Sequence, residues 1–291
     1  MGWKIACLTC GFPLYSQVSM INNQFNANLT SEFPVIQVSK TEDKIITEKI
    51  QKQIISEISL KVILNNMDFV SLLCLNEYQE ELALGFLFTE AMIDSMQDIK
   101  DVSFNEQLMA VIINTKSNKA VIPKETVRSV TSGCGKGLTY INPLKLEKFG
   151  KVDSDFQVPI TKIWELMQDF NKQSELYRNI GGVHSVNFYN DNFSVFNEDI
   201  GRHNCVDKIA GILLKEDKLD YTKESLIITS GRVSSEILIK CLRLKVPIVV
   251  SRSAPTAAVV EMAQKFNITL LGYVRGTKAN IYTGEERILG L

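Results

Sequence analysis

Apolar and polar residues alternate within Ile54–Leu64, which predicts a strand with one buried face. Every second residue from Ile58 onward is apolar in this stretch. Other strand-like stretches before residue 120 are Phe33–Val38, Lys44–Lys49, Val102–Phe104 and Met109–Ile113, and an apolar run spans Phe69–Leu75.

One amphipathic helix interrupts these strands. Asn76 is predicted as its N-cap, because Gln79 stands where a capping box places its partner. The acidic residues Glu77, Glu80 and Glu81 would then lie in the first turn, where the helix dipole favours them. Four apolar residues recur at helical spacing and mark the predicted buried face: Leu84, Leu87, Phe88 and Ala91.

Beyond residue 150 the pattern predicts a helix, a hairpin and then an alternation of strands and helices. The helix begins at Thr161, and the hairpin joins His184–Tyr189 to Phe193–Phe196. Two later helices begin at Ser234 and Thr256. The continuous apolar strands around them are Leu226–Thr229, Val246–Val250 and Ile268–Val274. Such an alternation predicts a parallel sheet covered on both faces.

Length and composition place the chain among globular proteins with a substantial core. Its 291 residues are 45% hydrophobic and 22% charged, with a net charge of −1. We predict a poorly structured tail at 1–30, an α+β domain at 31–150 and an α/β domain at 151–291. The near-zero charge argues against binding to duplex nucleic acid. No window reaches the ~20 apolar residues of a membrane span, so no membrane association is expected.

The six cysteines are scattered, unlike those of a small secreted disulfide framework. We therefore expect a cytoplasmic, reduced protein. Cys7 and Cys10 have metal-site spacing, but no second pair accompanies them, so no directly bound metal is predicted. Three cysteines lie in apolar or helical surroundings and are predicted to be buried small hydrophobes: Cys74, Cys205 and Cys241.

Cys134 stands in a different setting. Gly133 and Gly135 flank it, Lys136 lies two residues after it, and Gly137 follows that lysine. A glycine-rich backbone suits neither a packed helix nor a strand. It allows a thiol to reach out and a bulky partner to approach. The ammonium of Lys136 would favour the reactive thiolate, although a solvated loop lysine is an equally good interpretation. The alternative for the whole stretch is a surface loop whose cysteine has no role.

An arginine follows each of the three predicted parallel strands. The sequences at these strand ends are Ser230-Gly231-Arg232, Ser251-Arg252-Ser253 and Arg275-Gly276-Thr277-Lys278. Ligands of open α/β sheets bind beyond the carboxyl ends of the strands, and the guanidinium fork suits phosphate. Any one of these arginines could be a solvated surface residue, but three in register favour a phosphate site. The chain contains no P-loop and no G-x-G-x-x-G sequence.

Taken in order, these stretches resemble the formate dehydrogenase accessory sulfurtransferase family (FdhD/NarQ). The resemblance covers the chain from about Phe33 to its end. The segments that carry it are Asn76-Glu77, Ala83-Leu84-Gly85-Phe86-Leu87, Thr131-Ser132-Gly133-Cys134-Gly135-Lys136, Gly181-Gly182-Val183-His184, Glu198-Asp199-Ile200-Gly201-Arg202-His203-Asn204, Asp207-Lys208, Ser230-Gly231-Arg232-Val233-Ser234, Ser251-Arg252-Ser253-Ala254-Pro255-Thr256, Tyr273-Val274-Arg275-Gly276 and Asn280-Ile281-Tyr282-Thr283.

The resemblance implies a cytidine-deaminase-like C-terminal α/β/α domain with a smaller α+β N-terminal domain. It also implies a sulfur carrier that passes sulfur from a cysteine desulfurase to the bis-molybdopterin guanine dinucleotide cofactor of formate dehydrogenase. The sulfur would travel as a persulfide on Cys134. The family's cofactor-binding stretch falls on Tyr273, Val274, Arg275, Gly276, Thr277 and Lys278, to which we add Arg232 and Arg252 as phosphate ligands. The sequence leaves open whether two subunits pair as a homodimer.

The chain departs from many members of the family at Gly137, where they carry the second cysteine of a C-x-x-C pair. A disulfide within the loop is therefore excluded, but one thiolate is enough to accept and release sulfur. A cofactor chaperone that transfers no sulfur is the alternative function. A zinc deaminase is nearly excluded, because neither H-x-E nor P-C-x-x-C is present.

Three further polar residues precede a predicted helix: Asp199, Arg202 and His203. They could contact the guanine or the pterin, but we expect Asp199 to pair with Arg202 and hold the turn. His184, at the start of a predicted strand, is expected to be a hydrogen-bonded core histidine rather than a catalyst.

Overall fold

The computed structural model describes residues 29–116 and 143–291. Its first two strands form an antiparallel two-stranded ribbon, β1 (Thr30–Lys40) with β2 (Ile45–Ile55). A four-stranded sheet follows, with the strand order β4-β3-β6-β5. Its strands are β3 (Ile58–Leu64), β4 (Met67–Cys74), β5 (Ile99–Asn105) and β6 (Ala110–Thr115).

A six-stranded sheet dominates the second part of the chain. Its order is β13-β12-β11-β10-β8-β9, and β10, β11 and β12 are parallel to one another. A short pair, β7 (Val158–Pro159) with β14 (Ile288–Leu289), lies beside it. The six strands are β8 (His184–Asn190), β9 (Phe193–Asp199), β10 (Ser225–Thr229), β11 (Ile248–Ser251), β12 (Thr269–Arg275) and β13 (Lys278–Thr283).

Helices cover both faces of the six-stranded sheet. One face packs on α4, α5 and α6, and the opposite face packs on α2. The helices are α1 (Gln79–Thr89), α2 (Ile160–Gln173), α3 (Glu175–Asn179), α4 (Arg202–Lys215), α5 (Ser235–Leu244) and α6 (Ala257–Phe266). The prediction of parallel strands covered on both faces is confirmed for β10, β11 and β12, and the neighbouring strands make the sheet mixed.

Helices α1 and α4 cross in very close contact because each carries a glycine at the crossing. A Cβ atom at Gly85 would lie 1.7 Å from the backbone oxygen of Asp207, and one at Gly211 would lie 1.9 Å from that of Glu81. Only glycine allows backbones to approach this closely. The crossing joins the four-stranded sheet and the six-stranded sheet into one continuous hydrophobic core.

The start of α1 differs from the prediction. Its N-cap is Tyr78, which has the left-handed conformation (φ 56°), and no side chain caps the helix. Asn76 instead accepts a hydrogen bond from the side-chain amide of Gln79 at 2.6 Å. The predicted capping box is therefore wrong, and Glu77 lies before the helix rather than in its first turn, where Glu80 and Glu81 lie.

The fold is mixed α/β, while the deaminase-like layout and the division at residue 150 stay predictions. The burial predicted for Cys74, Cys205 and Cys241 is confirmed, since all three are fully inaccessible. Within the described ranges, no helix combines the length and the apolar character needed to cross a bilayer.

Candidate functional site

A cleft of about 730 Å³ lies at the carboxyl ends of β10, β11 and β12. Strand β8 runs antiparallel to β10, so its first residue reaches the same edge of the sheet. The opposite wall comes from the end of α2 and from α3. The lining residues are Phe170, Asn171, Ser174, Tyr177, Arg178, Val183, His184, Ser230, Arg252, Ser253 and Arg275.

Two predicted arginines, Arg252 and Arg275, meet in this cleft. The Nε of Arg275 donates a hydrogen bond to the backbone oxygen of Arg252 at 3.3 Å, and its guanidinium lies 5.5 Å from the centre of the Tyr273 ring. The turn beneath them is held by Ser251, whose hydroxyl donates to the backbone oxygen of Gly231 at 2.8 Å and accepts from the amide of Ser253 at 2.9 Å. The two side chains are exposed while their backbone is fixed.

The wall formed by α3 is tied to the sheet by a small buried network. Glu198 accepts a hydrogen bond from the Ser185 hydroxyl at 3.0 Å, and that hydroxyl also contacts Ser174. Burial raises the pKa of the Glu198 carboxyl, and hydrogen bonds from Ser185 and Ser174 oppose this effect. The network places α3, with Tyr177 and Arg178, across the cleft from the strand ends.

The described residues of the lining therefore combine three guanidinium groups with no carboxylate. Three like charges in one cleft repel one another unless an anion binds between them. Tyr177 is 51% exposed and presents an aromatic ring on which a planar base could stack. The arrangement suits a phosphorylated ligand with a flat heterocycle, and its volume is that of an ordinary small-molecule site.

The other predicted ligands lie around the cleft or beneath it. Arg232 is exposed in the loop after β10, and Lys278 is exposed at the start of β13. Val274 is fully buried in the core against α2, so its side chain faces away from solvent. Gly276 and Thr277 form the tight turn between β12 and β13, and the positive φ of Gly276 (57°) is one that glycine adopts without strain.

The predicted sulfur-carrying residue Cys134 and its neighbour Lys136 lie outside the described residues. The described cysteines are poor nucleophiles, since burial raises the pKa of both Cys74 and Cys241 to about 12. Among residues 29–116 and 143–291, no three histidine, cysteine or acidic side chains are grouped as metal ligands would be.

The expected pairing of Asp199 with Arg202 is wrong. The Asp199 carboxylate is fully buried and instead pairs with the ammonium of Lys208 at 2.7 Å. It also accepts hydrogen bonds from the amides of Leu75 and Gly201 and from the side chain of Asn204. Because these partners hold the carboxylate and the turn, Arg202 is left available for another role.

The expectation for His184 is also wrong. The residue is only half-buried, lines the cleft, and its ring has no hydrogen bond to any residue of the described ranges. Burial, with help from the charge of Arg202, lowers its pKa, so the ring is neutral at pH 7.

Sequence reasoning missed the wall of the cleft formed by Asn171, Tyr177 and Arg178. Nothing in their local pattern distinguishes them from ordinary surface residues. Their role depends on the packing of α2 against the sheet, which brings the end of that helix to the strand ends. The arginines after β11 and β12 were predictable because the position of a strand end is itself a signal.

Comparison with known proteins gives a consistent result. Residues 55–289 match the model of the FdhD/NarQ family. The chain is 35% identical over 254 residues to the sulfur carrier protein FdhD of Bacillus subtilis, covering 87% of this chain and 93% of that protein. It is 31% identical over 256 residues to the protein of that name from Wolinella succinogenes, covering 86% of this chain and 87% of the relative.

A solved structure shares the fold. The crystal structure of a candidate formate dehydrogenase accessory protein from Desulfotalea psychrophila superposes with a TM-score of 0.70. The match covers 90% of this chain and 100% of that one at 23% sequence identity. The mixed α/β architecture is therefore one already observed in a crystal.

Proposed function

The chain belongs to the FdhD/NarQ family, and on that premise we propose that it is a sulfur carrier required for formate dehydrogenase activity. Sulfur from a cysteine desulfurase is carried as a persulfide on Cys134 and passed to the bis-molybdopterin guanine dinucleotide cofactor, which is the bound substrate. Formate dehydrogenase is the protein partner that receives the modified cofactor, and the sulfur transfer takes place in the cytoplasm.

The observation that carries the proposal is the arginine-lined cleft at the strand ends. Arg178, Arg252 and Arg275 are suited to the phosphates of one guanine nucleotide arm, and Tyr177 is suited to its base. Of the predicted stretch from Tyr273 to Lys278, Arg275 lines the cleft. These hydrogen-bond donors fit a polyphosphate, and the lining residues that the structure describes include no carboxylate to repel one.

The sulfur transfer needs one thiolate. The Cys134 thiolate attacks the outer sulfur of the desulfurase persulfide, the S–S bond there breaks, and its electron pair leaves with the desulfurase cysteine as a thiolate. Cys134 then carries the extra sulfur. When a nucleophilic acceptor attacks that outer sulfur, the new S–S bond breaks and its electron pair returns to the Cys134 thiolate. Neither step requires a second cysteine in the loop.

Cofactor delivery without sulfur transfer is the second candidate function. The cleft favours it as much as it favours sulfur transfer, because nucleotide binding is common to both functions. The two differ only in what happens at Cys134.

Mass spectrometry of the intact protein separates these functions. We expect incubation with a cysteine desulfurase and cysteine to add about 32 Da, the mass of one sulfur atom, as a persulfide. Cys134→Ser should abolish the adduct, and Cys74→Ser is the matched control that should retain it. Wild-type protein that gains no sulfur while still binding GDP would support the chaperone instead.

A further inference from the structure

Next to the cleft lies a buried arginine whose Nε has no hydrogen-bond partner in the described part of the chain. Arg202 is the first residue of α4 and is only 8% exposed, and its Nε is buried without a hydrogen-bond partner. No described residue accepts a hydrogen bond from its guanidinium, and the nearby Asp199 is neutralised by Lys208. A buried polar atom without a partner is costly, which argues that the protein keeps this arginine for a ligand.

Two more polar atoms, at the starts of α4 and α5, are buried without hydrogen-bond partners among the described residues: the Nε2 of His203 and the hydroxyl of Ser234. Ser234 is the N-cap residue of α5, yet its side chain caps nothing. His203 lies in the first turn of α4 and faces Glu236 in the first turn of α5, at 3.9 Å. The amino ends of two helices, each of ten residues or more, thus approach the same place.

This cluster is continuous with the cleft through Gly231 and His184. A Cβ atom at Gly231 would lie 3.2 Å from the Cδ of Arg202 and 3.3 Å from the Nδ1 of His184. His184 itself lines the cleft, as does Ser230. A ligand bound across Arg252 and Arg275 would therefore need to extend only past the turn at residues 230–231 to meet Arg202.

We infer that Arg202, His203 and Ser234 form a second anion subsite, which binds a phosphate group of the ligand held in the cleft. The identity of that ligand rests on the proposed function. Arg202 supplies the charge, Ser234 and His203 supply hydrogen bonds, and the amino ends of α4 and α5 add their dipoles. Glu236 is the acidic side chain that faces His203, with its Oε2 at 3.9 Å from the Nε2 of the ring.

Calorimetric titration with inorganic pyrophosphate and, separately, with GDP tests the subsite. Arg202→Met should weaken pyrophosphate binding about tenfold or more, as expected for a charge-assisted contact. Ser234→Ala should weaken it less, by a factor of about three. The melting temperature of Arg202→Met without ligand should equal or exceed that of the wild type, because the variant removes a buried charge that nothing pairs.

Arg287→Met is the matched control. Arg287 is equally buried, at 5% exposure, but its guanidinium donates to Ser154 and Thr269 at the opposite edge of the sheet. This variant should lower the melting temperature and leave the pyrophosphate affinity unchanged.

The inference fails if wild-type protein does not bind pyrophosphate, or if Arg202→Met binds it as tightly as wild type does. If Arg202→Met does not fold, Ser234→Ala decides, and an unchanged affinity overturns the subsite. Loss of the persulfide on Cys134 would overturn the proposed function without affecting any of these titrations, so the two failures are distinguishable.

Discussion

Helix α4 carries two buried charged clusters that are built on opposite principles. In its second turn, Asp207 accepts hydrogen bonds from the Thr89 hydroxyl at 2.6 Å and from the Lys240 ammonium at 2.8 Å, and Lys240 also reaches Glu90 at 3.4 Å. At its first residue, Arg202 is 8% exposed, and its buried Nε has no hydrogen-bond partner among residues 29–116 and 143–291. One cluster is complete without a ligand and the other is not.

This difference in hydrogen bonding distinguishes the charges of the Asp207 cluster, which stabilise the fold, from the charge of Arg202, which is available for binding. The Asp207 cluster connects α1, α4 and α5, so its hydrogen bonds hold these three helices together. The Arg202 cluster lies at the sheet edge where ligands of α/β proteins bind. Natural proteins leave polar groups unsatisfied mainly where function requires it.

A substitution at the crossing of α1 and α4 should lower the free energy of unfolding more than any other change considered for α4. Gly211→Ala places a Cβ atom 1.9 Å from the backbone oxygen of Glu81, which no rotamer change can relieve. Separating the helices would also pull Thr89 away from Asp207. We expect a loss of roughly 5 kcal/mol or more in the free energy of unfolding, at the extreme end for a point substitution. Urea denaturation measures it.

Gly201→Ala is the control for this substitution. Its Cβ atom would meet side-chain atoms of Asn204, the nearest at 3.0 Å, rather than a backbone oxygen at 1.9 Å, so this substitution should cost much less stability. If the two alanine variants are equally stable, the close crossing of α1 and α4 is not a determinant of the fold.

Removing Lys240 from the Asp207 cluster should lower the free energy of unfolding by nearly as much. Lys240→Met leaves the Asp207 carboxylate, 1% exposed, without its counter-charge. We expect a loss of about 3–5 kcal/mol, the usual cost of breaking a buried ion pair. Combining Lys240→Met with Asp207→Asn should recover part of this loss, and a double variant no better than the single one would contradict the pairing.

Acid should destabilise the protein through His203. Burial, reinforced by the charges of Lys240 and Arg202, lowers the pKa of His203 to about 3. Between pH 6.5 and pH 3 the unfolded chain binds the proton and the folded protein does not, so stability falls as the pH falls. The loss attributable to this residue should be about 3 kcal/mol by pH 4.

Urea unfolding of wild type and His203→Gln across this pH range isolates the contribution of the histidine. The variant should show a shallower decline, because carboxylates then account for all of it. Saturating pyrophosphate should also flatten the wild-type curve, since an anion beside the ring favours its protonated form. Parallel curves for the two proteins would show that His203 does not titrate in this way.

The exposed arginines of the cleft should affect binding rather than folding. Arg275→Ala should weaken GDP binding by about 1.5–3 kcal/mol, the value of one charge-assisted hydrogen bond, with little change in stability. Lys265→Ala is an exposed cation on α6 whose ammonium pairs with Glu147, and it should leave GDP binding unchanged. Equal calorimetric affinities for wild type and Arg275→Ala would remove Arg275 from the site.

The sequence was informative wherever a local pattern decides the structure. The apolar runs of β10, β11 and β12 and the helical spacing in α5 and α6 predicted the order of these elements, and the strand ends predicted Arg252 and Arg275. The family was recognisable because its motifs are long and appear in order.

Contacts between distant parts of the chain were not predictable in this way. The choice of Lys208 over Arg202 as the partner of Asp199 depends on which cation α4 turns toward the buried carboxylate. Arg178 enters the cleft only because α2 packs on the sheet and delivers α3 to its edge. Likewise, the left-handed Tyr78 displaced the start of α1 from its predicted cap.

The most direct test of this account compares the unfolding free energies of ligand-free Arg202→Met and Lys240→Met in urea at pH 7. If the buried charge at the start of α4 is kept for a ligand, Arg202→Met should lie within about 0.5 kcal/mol of the wild type or above it, while Lys240→Met loses several times more. A loss in Arg202→Met as large as that in Lys240→Met would contradict the account, because Arg202 would then be supporting the fold.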